Sequence, residues 1–504
     1  MALFAESYEE ARRAFRAAVK RLGGRLESAP LPGTGAQGEA LTIDWAVIGP
    51  AGAPATLLSI SGVHGAEGHA GSAAQRAFAA ALDPRDLGED CNVVMIHALN
   101  PWGVSHGHRT DADNVDLSRN FCDFDAPPRS NPHYARVHDT ICPDRWDDGL
   151  SSRVGALFQS LTEELGAAAA LTAFTGGQYG HPNGIGFGGV RPTPSHAAFA
   201  GIVESELSAS RRMAYLEWHT GFGDYGRPLV VALDAPGTAP RNRMARWWAD
   251  QGLQGEDEAF DSGETPDWSG LLLPGLRRLA PHIEIAGAPI EIGTVSNFQA
   301  FEAVMIDRWL RMGAEPGDAD LRSMLRARLR AAYDPADIAW RERVVEIGRA
   351  MHLAALRGLR AWQRESHAEA SSRPARRAST ISRTGITDPP YPYPMEITHV
   401  ARSGNLWPGC LCLSARAGGG AAGGGAGPAC ARPGARDRQL WRHAAPGRPA
   451  DHPGIEGTGI GAASGSRFFR LPPETDRHLV ISDSLEPDGC RAWLGRWGFW
   501  TFSI

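Results

Sequence analysis

Lysine is almost missing from this chain: of 51 basic residues only Lys20 is not an arginine. A P-loop needs a lysine on the phosphates, so the glycine stretches TGGQYG and GIGFGG do not read as nucleotide sites, and neither has the dinucleotide spacing. The bias itself belongs to GC-rich coding DNA rather than to any one site. Cysteine is sparse too, at Cys91, Cys122, Cys142, Cys410, Cys412, Cys430 and Cys490. Those spacings make no zinc ribbon or finger, and a chain this long needs no disulfide framework. No run of about 18 apolar residues offers a membrane span. The N-terminal MALFAESYEEARRAFRAAVKRLGG mixes acids and arginines at the spacing of an amphipathic helix stopped by Gly23, unlike a signal peptide. A net charge of -6 announces neither nucleic acid nor an anionic membrane as partner. A soluble cytoplasmic protein is expected, and nothing here fixes its oligomeric state.

What is present is an α/β pattern. Ala40 to Ile48 alternates like a strand, Ala55 to Ile60 follows a PAGAP turn, and Asn92 to Leu99 is a buried strand. Met213 to Trp218, Leu229 to Leu233 and Ile283 to Ile292 read as further strands. Helices are expected over Gly71 to Ala81, Ser152 to Leu171, Phe301 to Met312, Asp318 to Tyr333 and Asp337 to Arg364. Residues 100 to 150 are polar and turn-rich, too long for an idle connection. Near residue 370 the composition changes: residues 371 to 504 hold 16 arginines, no lysine and 10 acids, with runs such as ARAGGGAAGGGAGPACARPGAR. The body before them carries about -12. Such a tail cannot bury enough surface to offset chain entropy and is expected to be ill-ordered, as an out-of-frame extension of GC-rich sequence would be.

The chemistry gathers where strands end. LLSISGVHGAEGHAGSAAQR, residues 57 to 76, runs strand, glycine turn, helix, and carries His64 and Glu67 in the turn. In open α/β sheets, functional groups converge at such strand ends. EWHTGFGDYG, residues 217 to 226, puts His219 at the end of another apolar strand. Two histidines and one carboxylate leave a zinc position free for water, the arrangement of a hydrolytic site. Either histidine alone reads equally as a packed strand-end residue.

Arg109 and the segment NVDLSRNF, residues 114 to 121, form a third group. Arg119 beside Asn120 offers a planar fork for a carboxylate, and Arg109 a cation for developing negative charge. Asp116 could orient a histidine by accepting its other ring N–H. Glu291 ends the apolar APIEIGT stretch, where an acid is costly unless functional, making it a candidate general base with Glu284 as competitor.

These segments, taken with HALNPWG at 97 to 103 and EIGT, resemble the zinc carboxypeptidase superfamily, typified by carboxypeptidase A. Their wording is most similar to a bacterial branch known only as a domain of unknown function, over roughly residues 1 to 365. The resemblance implies a three-layer α/β/α fold with a mixed central sheet in residues 1 to 370, followed by the low-complexity tail 371 to 504. It implies zinc held by His64, Glu67 and His219, with Asp116 behind the first histidine and Glu291 as general base. It also implies Arg109 at the oxyanion and Arg119, with neighbouring Asn120, at a substrate carboxylate. Where the family has an Asn-Arg pair this chain has Ser118-Arg119, so strict C-terminal carboxylate recognition loses a donor. The tyrosine that such peptidases place over the substrate has only Tyr179 and Tyr225 as candidates. The expected activity is hydrolysis of an amide bond in a small peptide or an N-acyl amino acid.

Two other readings compete. Gly103 to Gly107, GVSHG, matches the serine hydrolase G-x-S-x-G with Ser105 as nucleophile, although no small-residue helix follows. The pocket could also bind a metal or ligand without catalysis. The glycine loop from Thr175 to Gly189 is expected to rim the pocket, and His69, His97, His106 and His108 to be structural or rim residues.

Overall fold

A computed structural model of the chain describes residues 3–126, 130–249, 266–313, 319–372, 466–470 and 478–482. Helix α1 (Tyr8–Arg21) starts at Ser7, whose hydroxyl accepts from the Glu10 amide, and buries Tyr8, Ala11, Phe15, Ala18 and Val19 at helical spacing. Burying Phe15 alone is worth about 1.5–3 kcal/mol. Strands β1 (Arg25–Thr34), β2 (Ala40–Ile48) and β3 (Ala55–Ile60) follow, then helix α2 (Gly68–Ala81) and strand β4 (Cys91–His97). Short helices α3 (Pro101–His106) and α4 (Leu117–Asn120) interrupt the polar segment.

Helices α5 (Tyr134–Ile141), α6 (Leu150–Leu165) and α7 (Ala167–Thr175) come next. The single helix expected over 152–171 is therefore two, because Gly166 at φ 86 breaks it. Helix α8 (Pro194–Leu207) leads into the long β5 (Arg212–Tyr225), the short β6 (Pro228–Val230) and α9 (Ala239–Trp248). Helix α10 (Leu272–Leu279), strand β7 (Glu284–Gly293) and helices α11 (Asn297–Met312), α12 (Ala319–Tyr333) and α13 (Ile338–Ser372) complete this part.

The sheet runs β1-β2-β4-β3-β5-β7-β6. Its centre, β4-β3-β5-β7, is parallel, and β1, β2 and β6 join antiparallel, so the sheet is mixed as expected. Alternation sorts each strand between two cores. Leu57, Val93, Met95, Leu216 and Trp218 meet helices α1, α2, α9 and α13. Leu58, Val94, Ile96, Met213 and Tyr215 meet α8 and α10 on the other face. This is a three-layer α/β/α architecture. No helix among the described residues is long and apolar enough to cross a membrane.

Beyond residue 372 an antiparallel hairpin is described, β8 (Ser466–Arg470) with β9 (His478–Ser482), Phe468 opposite Val480. The remainder of the tail expected to be ill-ordered lies outside the described residues.

Candidate metal centre

Strand β3 ends at Ile60, level with Glu217, while β5 and β7 run on past it, so His219 lies within β5 rather than at its end as expected, and the site is built where β3 stops. After β3 the chain turns at Gly62 (φ 66), and a single 3-10 turn over Gly65–Glu67 presents His64 and Glu67. Gly65 has to be glycine: a Cβ there would lie 2.0 Å from the Gly103 carbonyl carbon. That contact, with Gly65 N–H donating to the Arg109 carbonyl at 3.1 Å, ties the turn to the segment carrying Arg109. On β5, residues 215, 217 and 219 point to the α8/α10 face, and His219 is the register partner of Glu291 on β7.

His64, Glu67 and His219 come together as the sequence implied, all buried. His64 Nδ1 lies 3.0 Å from Glu67 Oε1, and His219 Nδ1 lies 3.0 Å from Glu67 Oε2 and 3.1 Å from His64 Nδ1. The Thr220 amide also donates to Glu67 Oε2 at 3.0 Å. Each ring's other nitrogen meets a carboxylate. His64 Nε2 is 3.1 Å from Asp116 Oδ1, and His219 Nε2 is 2.8 Å from Glu217 Oε1. Arg109, its side chain 12% exposed, donates to Glu67 Oε1 at 3.1 Å and reaches Asp116 Oδ2 at 3.5 Å.

The electrostatics favour a cation. Of three buried carboxylates, Glu67 and Asp116 share the Arg109 guanidinium and Glu217 meets His219 and Tyr215, and burying such an excess is costly unless it is neutralised. Burial alone would raise the Glu67 and Asp116 pKa values, but His64 and His219 around the first, and Arg109 and His64 around the second, hold both below the usual carboxylate range. Burial opposes the charged form of His219, yet Glu217 and Glu67 raise its pKa well above the usual value. Burial, and then the Glu67 charge, pushes the Glu291 carboxyl up to about 7. Glu291 Oε2 is shielded and has no hydrogen-bond partner among the described residues. Two imidazole nitrogens and a carboxylate within reach of one ion form a donor set that suits zinc, so the residues fit the metal the resemblance implies.

The other expected residues divide. Arg119 is buried; its Nη1 donates to the Ser118 carbonyl at 2.7 Å and its Nη2 to the Thr175 carbonyl at 2.9 Å. Its Nε and the Ser118 hydroxyl are buried and unpartnered among the described residues. Asn120, expected beside the substrate, is fully buried and commits its amide elsewhere. It donates to the Gly188 carbonyl at 2.8 Å and the Arg191 carbonyl at 3.0 Å, and accepts from the Thr193 amide at 2.9 Å. It staples the glycine loop instead.

Of the tyrosines, Tyr179 donates to the Arg119 carbonyl at 2.7 Å, while Tyr225 is exposed and bonded to Asp337 at 2.6 Å. Glu284 is exposed and pairs in register with Arg212 at the opposite end of β5 from His219. Ser105 sits in α3, where its hydroxyl is held by Glu39 and by the Ala36 amide, and among the described residues no histidine ring is bonded to it. His97 stacks on Phe15 and meets Ser72, and His108 meets Asp307 at 2.6 Å. A small pocket beside Arg109 and Asp116 is walled by Asn114, Gly184, Ile185, Gly186 and Arg308, so part of the glycine loop rims it.

Sequence reasoning missed Glu217, Tyr215 and Asp307. Tyr215 donates to Glu217 Oε2, and Asp307 accepts from the Arg109 amide at 3.1 Å. Period-two spacing back from His219 was the available signal for the first two.

No curated protein matches the chain. Among solved structures, a metallo-carboxypeptidase from Burkholderia cenocepacia is 14% identical, with 71% of each chain covered and a TM-score of 0.37. Carboxypeptidase A from Helicoverpa armigera is 14% identical over 65% of this chain and 74% of its own, with a TM-score of 0.33. Bovine thrombin-activatable fibrinolysis inhibitor, in complex with tick carboxypeptidase inhibitor, is 10% identical over 66% of this chain and 97% of its own, with a TM-score of 0.32. A family sequence model matches residues 4–347, and by that match the chain belongs to DUF2817, described as a protein of unknown function.

Proposed function

We propose that this chain is a zinc-dependent hydrolase that cleaves an amide bond, in a peptide C-terminus or an N-acyl amino acid. The observation that carries the reading is the convergence of His64 Nδ1, His219 Nδ1 and the Glu67 carboxylate beside the shielded Glu291. Three protein ligands with a further position open are the pattern of a hydrolytic rather than a structural zinc site. Zinc held by His64, Glu67 and His219 would polarise the scissile carbonyl and bring the pKa of a water toward neutrality.

Glu291 then takes the proton of the attacking water and returns it to the leaving amine, a task suited to a carboxyl whose pKa burial and the Glu67 charge raise above the ordinary value. Arg109 supplies positive charge against the developing oxyanion, a contribution of about 3 kcal/mol for donors of this kind. Arg119 meets a substrate carboxylate through its unpartnered Nε, as a single donor rather than a two-pronged fork. Asn120 has no part in this reading. All the named groups precede residue 292, so the hydrolase unit is assigned to residues 1 to 370.

Zinc content of the full chain and of His64→Ala and His219→Ala tests the proposal, together with turnover of short peptides and N-acyl amino acids. About one zinc per chain, lost in both variants, and chelator-sensitive amide hydrolysis are expected. Well-folded protein that takes up no zinc ends the proposal.

A further inference from the structure

We infer that Glu217, backed by Tyr215, is a positioning residue that fixes the His219 ring so that its Nδ1 is presented to the metal. The inference rests on the zinc reading above and extends it to two residues that no ligand set includes. Tyr215, Glu217 and His219 alternate along β5 and therefore stack on one face of the sheet, buried throughout. Both Glu217 oxygens are occupied: Oε1 meets His219 Nε2 at 2.8 Å, and Oε2 accepts from the Tyr215 hydroxyl. An ionised carboxylate can only accept, so Nε2 keeps a proton toward Glu217, and Nδ1, which meets Glu67 at 3.0 Å and His64 at 3.1 Å, is the nitrogen that would give up its proton to a metal. The anionic partner also makes the imidazole a better donor to a cation.

Stability alone does not account for the row. A buried ionic group is at best neutral against apolar side chains of the same volume, and β5 carries apolar residues on its opposite face. The arrangement mirrors the pair formed by Asp116 and His64, so each of the two histidines is held from behind by its own carboxylate.

The test is the zinc dissociation constant of the full chain, by competition with a chromophoric chelator, for wild type, Glu217→Gln and Tyr215→Phe. Thermal unfolding of the metal-free proteins is measured beside it. Glu217→Gln keeps the shape and removes the charge, and should weaken zinc binding by about 10- to 100-fold. Tyr215→Phe should weaken it by less, and neither should shift metal-free unfolding in proportion. Affinity within twofold of wild type in both variants overturns the inference. So does a loss of affinity that only tracks loss of metal-free stability. Wild type that binds no zinc overturns the metal reading itself, a result distinct from either.

Discussion

His219 and Glu291 are direct partners in the parallel register of β5 with β7, so the two side chains leave the sheet on the same face at its functional edge. That places a metal-ligand candidate beside a carboxyl pushed up to about 7 by burial and by Glu67. Glu291→Gln should keep its zinc and lose about 10²- to 10⁴-fold in kcat. On the proposed reading Glu291 works deprotonated, so kcat/KM should rise with pH along an acid limb. A bound dication favours the ionised carboxylate and moves that limb below 7. Zinc analysis beside a pH–rate profile checks both points, and undiminished turnover in Glu291→Gln would remove Glu291 from the mechanism.

Arg109 bridges Glu67 and Asp116 as well as facing Glu291. Burial would lower its pKa, but Asp116, Tyr333, Glu67 and Glu291 outweigh that and raise it. Removing one partner of a buried ion pair costs about 3–5 kcal/mol, because the other charge is left uncompensated. Arg109→Gln should therefore destabilise the metal-free chain by about that much. Zinc should restore part of the loss, since a cation again faces the carboxylates. Urea unfolding with and without zinc measures it; an equal loss in both states would mean that Arg109 and the metal do not share those carboxylates.

Most of the candidate site was legible in the sequence because His64, Glu67, His219 and Glu291 follow or close long apolar runs. Leu57 to Ile60 and Met213 to Trp218 had to be buried strands; Gly62 turns the chain after the first, whereas Gly221 and Gly223 stay within β5, which runs on to Tyr225. Strand β1 was not legible: with Pro30 and Pro32 it is an edge strand, paired on one side only and largely exposed. Helix α8 opens at Pro194 with a Thr193 cap, a signal hidden behind the glycine loop. Asn120 was read with Arg119 because adjacency suggested a shared ligand, yet α4 turns its amide toward the glycine loop. Glu217 escaped notice because an acid inside an apolar strand looks like an interruption until its partner two residues on is identified.

Gly177 lies under Arg119 with φ 86, and a Cβ there would come within 2.4 Å of Arg119 Cδ. Arg119 cannot retreat without giving up its bonds to the Ser118 and Thr175 carbonyls. Gly177→Ala should cost about 1 kcal/mol or more in backbone strain and displace the guanidinium. If Arg119 binds the substrate carboxylate, KM for carboxylate-bearing substrates should rise more than KM for the matching amides. An equal change for both would separate Arg119 from carboxylate recognition.

His352 sets an acid limit on stability that is independent of the metal. Its Nδ1 lies 2.6 Å from the Gly348 carbonyl, which can only accept, so Nδ1 carries the proton. Its Nε2 then accepts from the Ser59 hydroxyl at 2.8 Å, and the ring stacks on Phe78. Protonation would place a charge in the buried core, and burial accordingly lowers the pKa to about 4. The sign follows from proton counting. Above the unfolded value of about 6.5 neither state binds the proton, and there is no effect. Between about 6.5 and about 4 the unfolded chain binds it and the folded chain does not, so stability falls as pH falls. Below about 4 the folded state titrates too, and the loss levels off at about 3 kcal/mol. His97, lowered to about 3 by burial, acts in the same direction. Between pH 7.5 and pH 5, His352→Gln should lose about 2 kcal/mol less unfolding free energy than wild type, whatever its stability at pH 7.5. Urea titrations of the metal-free proteins at the two pH values decide it. Parallel losses in variant and wild type would show that His352 is protonated without penalty in the folded chain.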